Sequence, residues 1–223
     1  MPVRLIAFAG RTKIVPGVLM LLTASLVWET SYLTLAAQTR QERAKHLLDQ
    51  CLEALGGDAF LNVRNMVQKG RAYSFRRQNL RGLAVMSIFT RFEPMRESDD
   101  PNWLPVSRRE VYTEKGDYYV LFQNGQGWEV TYQGARPLPE DSLHRYREST
   151  RRDIFYILRY RFNEPDMYFY YAGTEIIDNV PTHAVEIVDG RGEAVTVYLR
   201  MSDNLPVQQV YLRRDPKTRI PYE

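Results

Sequence analysis

Cysteine is almost absent from this sequence, with Cys51 the only one in 223 residues. A single thiol cannot form an internal disulfide, so the chain must fold on its hydrophobic core alone. Cys51 lies inside a helical pattern well past the N-terminal apolar segment, which excludes it as a lipid-attachment cysteine. The length and the hydrophobic share of 44% suit one domain with a sizeable core.

Catalytic and metal-binding motifs are missing as well. The sequence has no G-x-S-x-G, H-E-x-x-H, P-loop or G-x-G-x-x-G motif. Its three histidines, His46, His144 and His183, have no partner at ligand spacing, so we expect no metal site. The acidic residues 97–100 lack the glycine and distal glutamate of a calcium loop and are interpreted as solvated. We expect no cofactor and no catalysis; a hydrolase of unknown substrate ranks third among the functional interpretations.

A strong charge of one sign is also lacking, since the net charge is +3 and falls to about +1 without residues 1–37. A polyanion-binding surface would need clustered basic residues. One basic run occurs in the second helical segment, interspersed with Glu148 and Asp153. We interpret it as a solvated helix face rather than a nucleic-acid or membrane patch: Arg145, Arg147, Arg151 and Arg152.

Long apolar runs are limited to one uncharged segment, residues 14–28, which three basic residues precede. Small residues then allow cleavage after Ala36 or Ala37. This layout predicts a secretory signal peptide at 1–37 and an exported domain at 38–223. The alternative is an uncleaved membrane anchor, but the run is short for a span of about 20 residues, and Glu29 interrupts its end.

Two helical segments are predicted. The first, 42–56, has one apolar stripe and ends at Gly56-Gly57. His46 lies off the stripe, and Cys51 is interpreted as one of its small buried members. The second, about 139–160, has a less regular stripe with a break near Asp153. The stripe of the first helix consists of Ala44, Leu47, Leu48, Cys51, Leu52 and Leu55.

From about Met66 the apolar period changes from 3.6 to 2, which predicts about nine strands. Hairpin-length turns link nearly all of them, so the sheet is predominantly antiparallel. We expect the glycines of the turns EKGD and NGQG to take a positive φ. The resulting fold class is α+β, with one strongly curved antiparallel sheet whose concave face the helices cover.

The stretch from Leu83 to Phe89 is apolar at nearly every position. Such a strand is either buried on both faces against helices or lines a cavity that accommodates lipid. Both interpretations stay open from the residues alone.

Three stretches, in order, resemble a known family: FTRFEPMRES, NGQGWEVTY and LRMSDNLPVQQVYL. Behind a signal peptide and an amphipathic helix with a Gly-Gly end, they resemble the LolA/LolB-like superfamily of outer-membrane lipoprotein-sorting carriers over about residues 40–215. LGGDAFLNVRNMVQKGRAYSF and RPLPEDSLHRYRESTRRDI are similar more specifically to its periplasmic members from diderm bacteria.

The resemblance implies a half-open, incomplete β-barrel closed by helices, with an apolar cavity for acyl chains and no cofactor. A basic residue before a proline latches the helical lid in the carriers. Here Glu93 precedes Pro94, and Arg91 and Arg96 are the latch candidates. The carriers also continue beyond the Leu-Pro hairpin, so we expect their last strands to be missing and this hairpin to form an exposed edge. The residues expected to line the cavity or its lid are Leu47, Leu48, Cys51, Leu55, Val85, Phe89, Trp128, Val130, Val185, Ile187, Val197 and Leu199.

The leading hypothesis is therefore a periplasmic, non-enzymatic and monomeric binding or carrier protein for lipid or lipoprotein acyl chains, with the first helix as a movable lid. The alternative is an envelope sensor or protein-interaction module on the same fold. No nucleic acid is expected as a partner.

Overall fold

A computed structural model describes residues 39–76, 79–97, 103–113, 115–214 and 221–222. The predicted signal peptide and residues 98–100 of the acidic loop lie outside the described residues. Within the described ranges, no helix combines the length and the apolar character needed to cross a membrane.

Helix α1 spans residues 39–54 of the described chain and is followed by the short helix α2 (Asp58–Leu61). Four residues of its predicted stripe are buried, Leu52 and Leu55 are half-buried, and His46 is exposed as expected. Gly56 and Gly57 take φ values of 116° and 54°. These values favour glycine because a Cβ would be strained there, and they end α1 where the sequence predicted.

Six antiparallel strands form the first sheet in chain order. Each strand pairs with the next one along the chain, as hairpin-length connections require. Their bounds are β1 (Asn65–Arg76), β2 (Asn79–Phe92), β3 (Val106–Val111), β4 (Tyr119–Gln123), β5 (Gln126–Thr131) and β6 (Gly134–Pro137).

The second helical segment divides where the sequence predicted a break. Helix α3 (Glu140–Arg151) ends, and α4 (Ile154–Tyr156) begins and continues into a π-helical turn (Ile157–Arg161). The Asp153 carboxylate accepts hydrogen bonds from the backbone N–H groups of Phe155 and Tyr156 at 2.9 and 3.1 Å. Asp153 is therefore the N-cap of α4.

Four antiparallel strands form the second sheet in the order β10-β9-β8-β7. Asn204, with φ of 57°, and the Asp203 carboxylate, which accepts from the Leu205 N–H, form the predicted turn before β10. A small pair, β11 and β12, follows. The bounds are β7 (Tyr168–Ile177), β8 (Val180–Val188), β9 (Ala194–Arg200), β10 (Pro206–Val210), β11 (Arg213–Arg214) and β12 (Pro221–Tyr222).

The buried side chains form two hydrophobic cores. The four-strand core joins α1, α4 and the π-helical turn to one face of the second sheet. The six-strand core joins α3 and the same turn to the first sheet: Phe92, Leu104, Val106, Phe122, Tyr146 and Tyr156. The inner face of the six-stranded sheet is defined as the one that carries Phe92, Val106 and Phe122, and the outer face is the opposite one.

The α+β class and the antiparallel pairing are confirmed, while two details differ. The strands divide into two main sheets that no strand pairing joins within the described residues, so they form no closed barrel. The described chain has twelve strands rather than nine, because β6, β11 and β12 have only two to four residues each. Gly116 and Gly125 take positive φ as predicted. The same expectation for Gly127 is wrong, since it is a buried residue inside β5.

Candidate functional site

The interface between α1 and the four-stranded sheet brings eight of the predicted cavity and lid residues together. Strand residues 185, 187, 197 and 199 point to one face because they alternate along β8 and β9. Val185 lies directly opposite Val197 in the ladder, and the alternating burial of β9 matches the predicted dry and wet faces. The eight residues of this part of the four-strand core are Leu47, Leu48, Cys51, Leu55, Val185, Ile187, Val197 and Leu199.

The other four predicted cavity residues lie elsewhere. Directly opposed residues of antiparallel strands share a face, and the register aligns Phe89, Arg109, Leu121 and Trp128 in one row. That row alternates with the row of inner-face residues. Val85, Phe89, Trp128 and Val130 therefore lie on the outer face of the six-stranded sheet, away from both cores. The Arg109 guanidinium lies 4.4 Å from the Phe89 ring centroid.

The apolar stretch from Leu83 to Phe89 is thus not buried on both faces. Leu83 and Val85 are exposed on the outer face, whereas Met86 and Ile88 are half-buried on the inner face. The double covering considered from sequence is wrong for this part of β2, because the helices pack against the inner face only.

The residues that bind the second helical segment to the rest of the domain are not the predicted latch candidates, Arg91 and Arg96. Arg91 is exposed, and Arg96 lies over the Trp103 ring at 4.9 Å. Instead, Arg159 of the π-helical turn donates to the carbonyl oxygens of Phe60 and Val63 and stacks on the Phe92 ring at 4.1 Å.

Tyr160, the next residue of the π-helical turn, binds the chain beside Pro94 of the motif FTRFEPMRES. Its hydroxyl donates to the Glu93 carbonyl oxygen at 2.8 Å and to the Pro105 carbonyl oxygen at 3.2 Å. Sequence reasoning missed both residues, because a π-helical turn has no sequence signature that would set their direction.

A cavity of about 360 Å³ opens at the first turn of α1. Arg40 donates to the Tyr170 hydroxyl, and the Arg43 guanidinium lies 4.0 Å from the Tyr171 ring centroid. Among the described residues neither arginine forms an ion pair. Tyr171 also packs against the four-strand core, so this cationic cavity adjoins the apolar interface.

An ion network holds the helical segment to the four-stranded sheet. Asp189, in the β8–β9 turn, pairs with Arg161 and Arg191, each at 3.2 Å. Arg152, the residue after α3, pairs with both Glu148 and Glu193. Arg147 likewise points inward and donates to the Gly125 carbonyl oxygen at 3.2 Å. The interpretation of this basic run as a solvated face is therefore wrong for Arg147 and Arg152.

Burial shifts the pKa of titratable groups in both cores. Burial raises the pKa of the Cys51 thiol to about 12, which keeps it protonated and unreactive. Burial also raises the pKa of the Tyr156 phenol to about 12. A cavity of about 30 Å³ beside Tyr156, Thr150 and Asp153 holds on the order of one water molecule. No three described His, Cys, Asp or Glu residues converge on a metal-sized site.

No protein-family model and no curated protein sequence matches the chain. Among solved structures, it is similar to a DUF1329 family protein from Desulfovibrio piger, with 12% identity and a TM-score of 0.42 over 79% of this chain and 75% of that one. It is also similar to the MucB–MucA complex of Pseudomonas aeruginosa, with 14% identity and a TM-score of 0.32 over 77% of this chain and 51% of that one. A third similar structure, with 9% identity and a TM-score of 0.40 over 76% of this chain and 72% of that one, is an outer membrane lipoprotein-sorting protein domain from Vibrio parahaemolyticus.

Proposed function

We propose that this protein is a periplasmic, non-enzymatic carrier that binds the acyl chain of a lipid or lipoprotein between α1 and the four-stranded sheet. The observation that supports the proposal is that this interface is apolar on both sides. The α1 side of it consists of apolar side chains, and its sheet side is a continuous apolar surface of alternating strand residues. The predicted signal peptide supports the periplasmic location.

An acyl chain can replace α1 at similar free energy. Burying a leucine side chain stabilises by about 1.5–3 kcal/mol, so Leu47, Leu48 and partly buried Leu55 together contribute roughly 4–9 kcal/mol. A buried methylene contributes about 0.8 kcal/mol, so roughly five to eleven methylenes recover the same amount. The exchange of helix for acyl chain is therefore close to balanced, as reversible loading requires.

The ends of α1 are suited to such a movement. Gly56 and Gly57 follow its last turn with positive φ, and glycines give a connection the widest backbone freedom. At its other end, Arg40 and Arg43 border the cationic cavity. A phosphate or carboxylate headgroup bound there would leave its acyl chain next to Tyr171 and the four-strand core.

A spin-labelled fatty acid tests this proposal directly. We expect doxyl-stearic acid to broaden the methyl NMR signals of Leu48, Val197 and Leu199, because the nitroxide would enter the interface. Ile176, exposed on β7 of the same sheet, is the matched internal control and should keep its signal. An Arg40→Gln/Arg43→Gln variant should bind the fatty acid at least tenfold more weakly.

Broadening confined to exposed residues such as Leu83 would show that the lipid binds only the outer surface and would contradict the proposal. Absence of binding at millimolar fatty acid would contradict it as well.

The tight packing of the four-strand core favours a second candidate function. Leu48, Cys51, Val185, Val197 and Leu199 are all fully buried by other parts of the same chain. A fixed interior of this kind suits an envelope sensor or protein-interaction module that uses its outer surface. That function predicts no methyl broadening in the core and a specific partner in a periplasmic cross-linking experiment.

A further inference from the structure

The β1–β2 hairpin extends well past the rest of its sheet. β3 pairs only with Ser87–Phe92 of β2, and β1 is the first strand of the sheet. Within the described chain, Gly70–Arg76 and Asn79–Met86 therefore pair only with each other. Seven residues at about 3.3 Å each give this two-stranded ribbon a reach of roughly 20 Å.

One face of the ribbon is apolar and exposed. Tyr73 lies directly opposite Leu83, and Phe75 opposite Leu80. Together with Val85 they form a continuous surface on the outer side, which we call the ribbon face. Its five side chains are 51–65% exposed. Soluble proteins seldom leave so many large apolar side chains together in water, so a contiguous surface of this kind marks an interaction site.

A β-bulge creates this arrangement. The register shifts between Ser74 and Phe75, and Arg81 is the extra residue in β2. In a regular strand Leu80 and Leu83, three positions apart, would point to opposite faces. The bulge places them on the same face, where Leu80 can join Phe75. The apolar surface is therefore built by the backbone and is not a by-product of alternation.

Basic residues surround the ribbon face. Arg71 and Lys69 lie on the same side of β1, opposite Val85 and Ser87. Residues 59–92 contain seven Lys or Arg and no Asp or Glu, whereas the whole chain has a net charge of only +3. The rest of the chain is net negative, so the positive charge is concentrated in the hairpin that carries the exposed apolar residues.

We propose that the ribbon face docks on an anionic lipid surface, with Tyr73, Phe75, Leu80, Leu83 and Val85 in the interfacial layer and Lys69 and Arg71 on lipid phosphates. Each basic residue near an anionic bilayer contributes about as much as one buried methylene, and shallow apolar burial adds to it. This inference concerns a different surface from the acyl-chain interface and does not depend on it.

The charges select a membrane over the other possible occupants. A second copy of the chain would bring Lys69 and Arg71 against the same cations, with no acidic residue on either ribbon to pair with them. A protein partner fits best where anchor side chains enter pockets, and the three cavities at α1, beside Tyr156 and beside Trp103 are lined by residues outside the ribbon. A bilayer offers both anionic phosphates and an apolar interior, and it can bind the ribbon face without a surface of complementary shape.

Vesicle flotation with the full chain tests the inference. We expect binding to vesicles with 40% phosphatidylglycerol in phosphatidylcholine, at least tenfold weaker binding to pure phosphatidylcholine, and loss of binding in 0.5 M NaCl because salt screens the phosphates. A Phe75→Ser/Leu83→Ser variant should bind anionic vesicles at least tenfold more weakly. Ile176→Ser, at a 74% exposed side chain outside the ribbon, is the matched apolar control and should bind like the wild type.

Charge variants separate the two contributions. Arg71→Glu should weaken binding severalfold, whereas Arg145→Glu, at an exposed position of α3, should not. The altered side chains are exposed, so circular dichroism should show unchanged folding. Failure of the wild type to bind anionic vesicles, or equal binding by the Phe75→Ser/Leu83→Ser variant, would overturn the inference. Self-association or capture of a protein through the ribbon without vesicle binding would overturn it equally.

Discussion

Gly127 lies where α3 approaches the six-stranded sheet most closely. A Cβ at this position would lie 2.8 Å from Leu143 Cδ2, 2.9 Å from Leu138 Cδ1 and 3.0 Å from Phe122 Cδ1. The Phe122 ring cannot easily retreat, because it stacks on Tyr146 with ring centroids 3.6 Å apart. The glycine is therefore required by packing rather than by backbone conformation.

We expect Gly127→Ala to lower the free energy of unfolding by about 1–3 kcal/mol, the usual cost of overpacking. Urea denaturation measures the change. Gly70→Ala is the matched control, because a Cβ there meets no atom within 4 Å, and it should be neutral or slightly stabilising. Equal stability of Gly127→Ala and the wild type would show that α3 can move away from the sheet.

Asp189 is nearly inaccessible, with a side chain 3% exposed. Burial opposes its ionisation, but backbone hydrogen bonds from Glu193 and Arg191 and the Arg191 and Arg161 guanidinium groups lower its pKa below the ordinary value. A carboxyl group with a lowered folded-state pKa contributes stability above its unfolded pKa of about 4. That contribution is lost as the pH falls through the folded-state pKa.

Asp189→Asn should therefore lower the free energy of unfolding by about 1–3 kcal/mol at pH 7, and the difference from wild type should shrink as the pH falls below about 4. Urea titrations between pH 3 and 7 measure it. Asp49→Asn, at an exposed position of α1, should show no comparable effect. A deficit independent of pH would mean that the charge of Asp189 is not what stabilises the turn.

Among the structural elements, the segment formed by α4 and the π-helical turn is the one that faces both cores. Ile154, Ile157 and Leu158 pack in the four-strand core, whereas Tyr156 and Tyr160 contact the six-strand core. The Asp153 cap sets the direction of this segment. Burial raises the pKa of Asp153 above its ordinary value, so holding its carboxylate ionised at neutral pH costs stability.

Two substitutions of Asp153 should accordingly have opposite effects. Asp153→Ala removes the cap acceptor and should lower the free energy of unfolding by about 0.5–2 kcal/mol. Asp153→Asn keeps an acceptor without the buried charge, so at pH 7 it should be as stable as the wild type or more stable. Thermal denaturation of the wild type and the two variants distinguishes these results. If Asp153→Asn is less stable than the wild type, the buried charge of Asp153 does not cost stability, and this interpretation of the cap is refuted.

Sequence periodicity predicted the elements well because it is a local property. The α1 stripe, the hairpins and the break at Asp153 were all predicted from neighbouring residues. The sequence did not predict which face of β2 is covered, because both faces of its apolar stretch are similar in composition until α3 packs on one of them. The inward direction of Arg152 depends on Glu193, a partner 41 residues away. The structure accordingly brings together the predicted residues of α1, β8 and β9 and places those of β2 and β5 on a separate surface.

At the scale of the whole molecule, no strand pairing connects the two sheets in the described residues. The two cores are joined instead by α3, α4 and the π-helical turn, together with their ion network. If this connection is as extensive as the Asp189 and Arg152 contacts indicate, the domain unfolds as one unit. Trp128 lies in the six-stranded sheet, Trp103 is next to Leu104 of the six-strand core, and Cys51 lies in the four-strand core, so each half of the domain has its own reporter.

In a Trp28→Phe background, tryptophan fluorescence and the accessibility of Cys51 to a thiol reagent should change at the same urea concentration. Arg161→Leu, which leaves Asp189 without one of its guanidinium partners, should shift both midpoints together to lower urea. Separate midpoints in the wild-type chain would show that the two cores are independent folding units.

The pairing of α1 with β8 and β9 has a consequence for the order of events during folding. Arg40 and Tyr170, which contact each other, are 130 residues apart in the chain, and the strands that cover Leu48 come still later. Because the chain is made from its N-terminus, the apolar stripe of α1 stays uncovered until almost the whole domain is present. Long-range contacts of this kind slow folding and expose the intermediate to aggregation. We expect the chain to depend on a holding chaperone in the interval between the synthesis of α1 and that of β9.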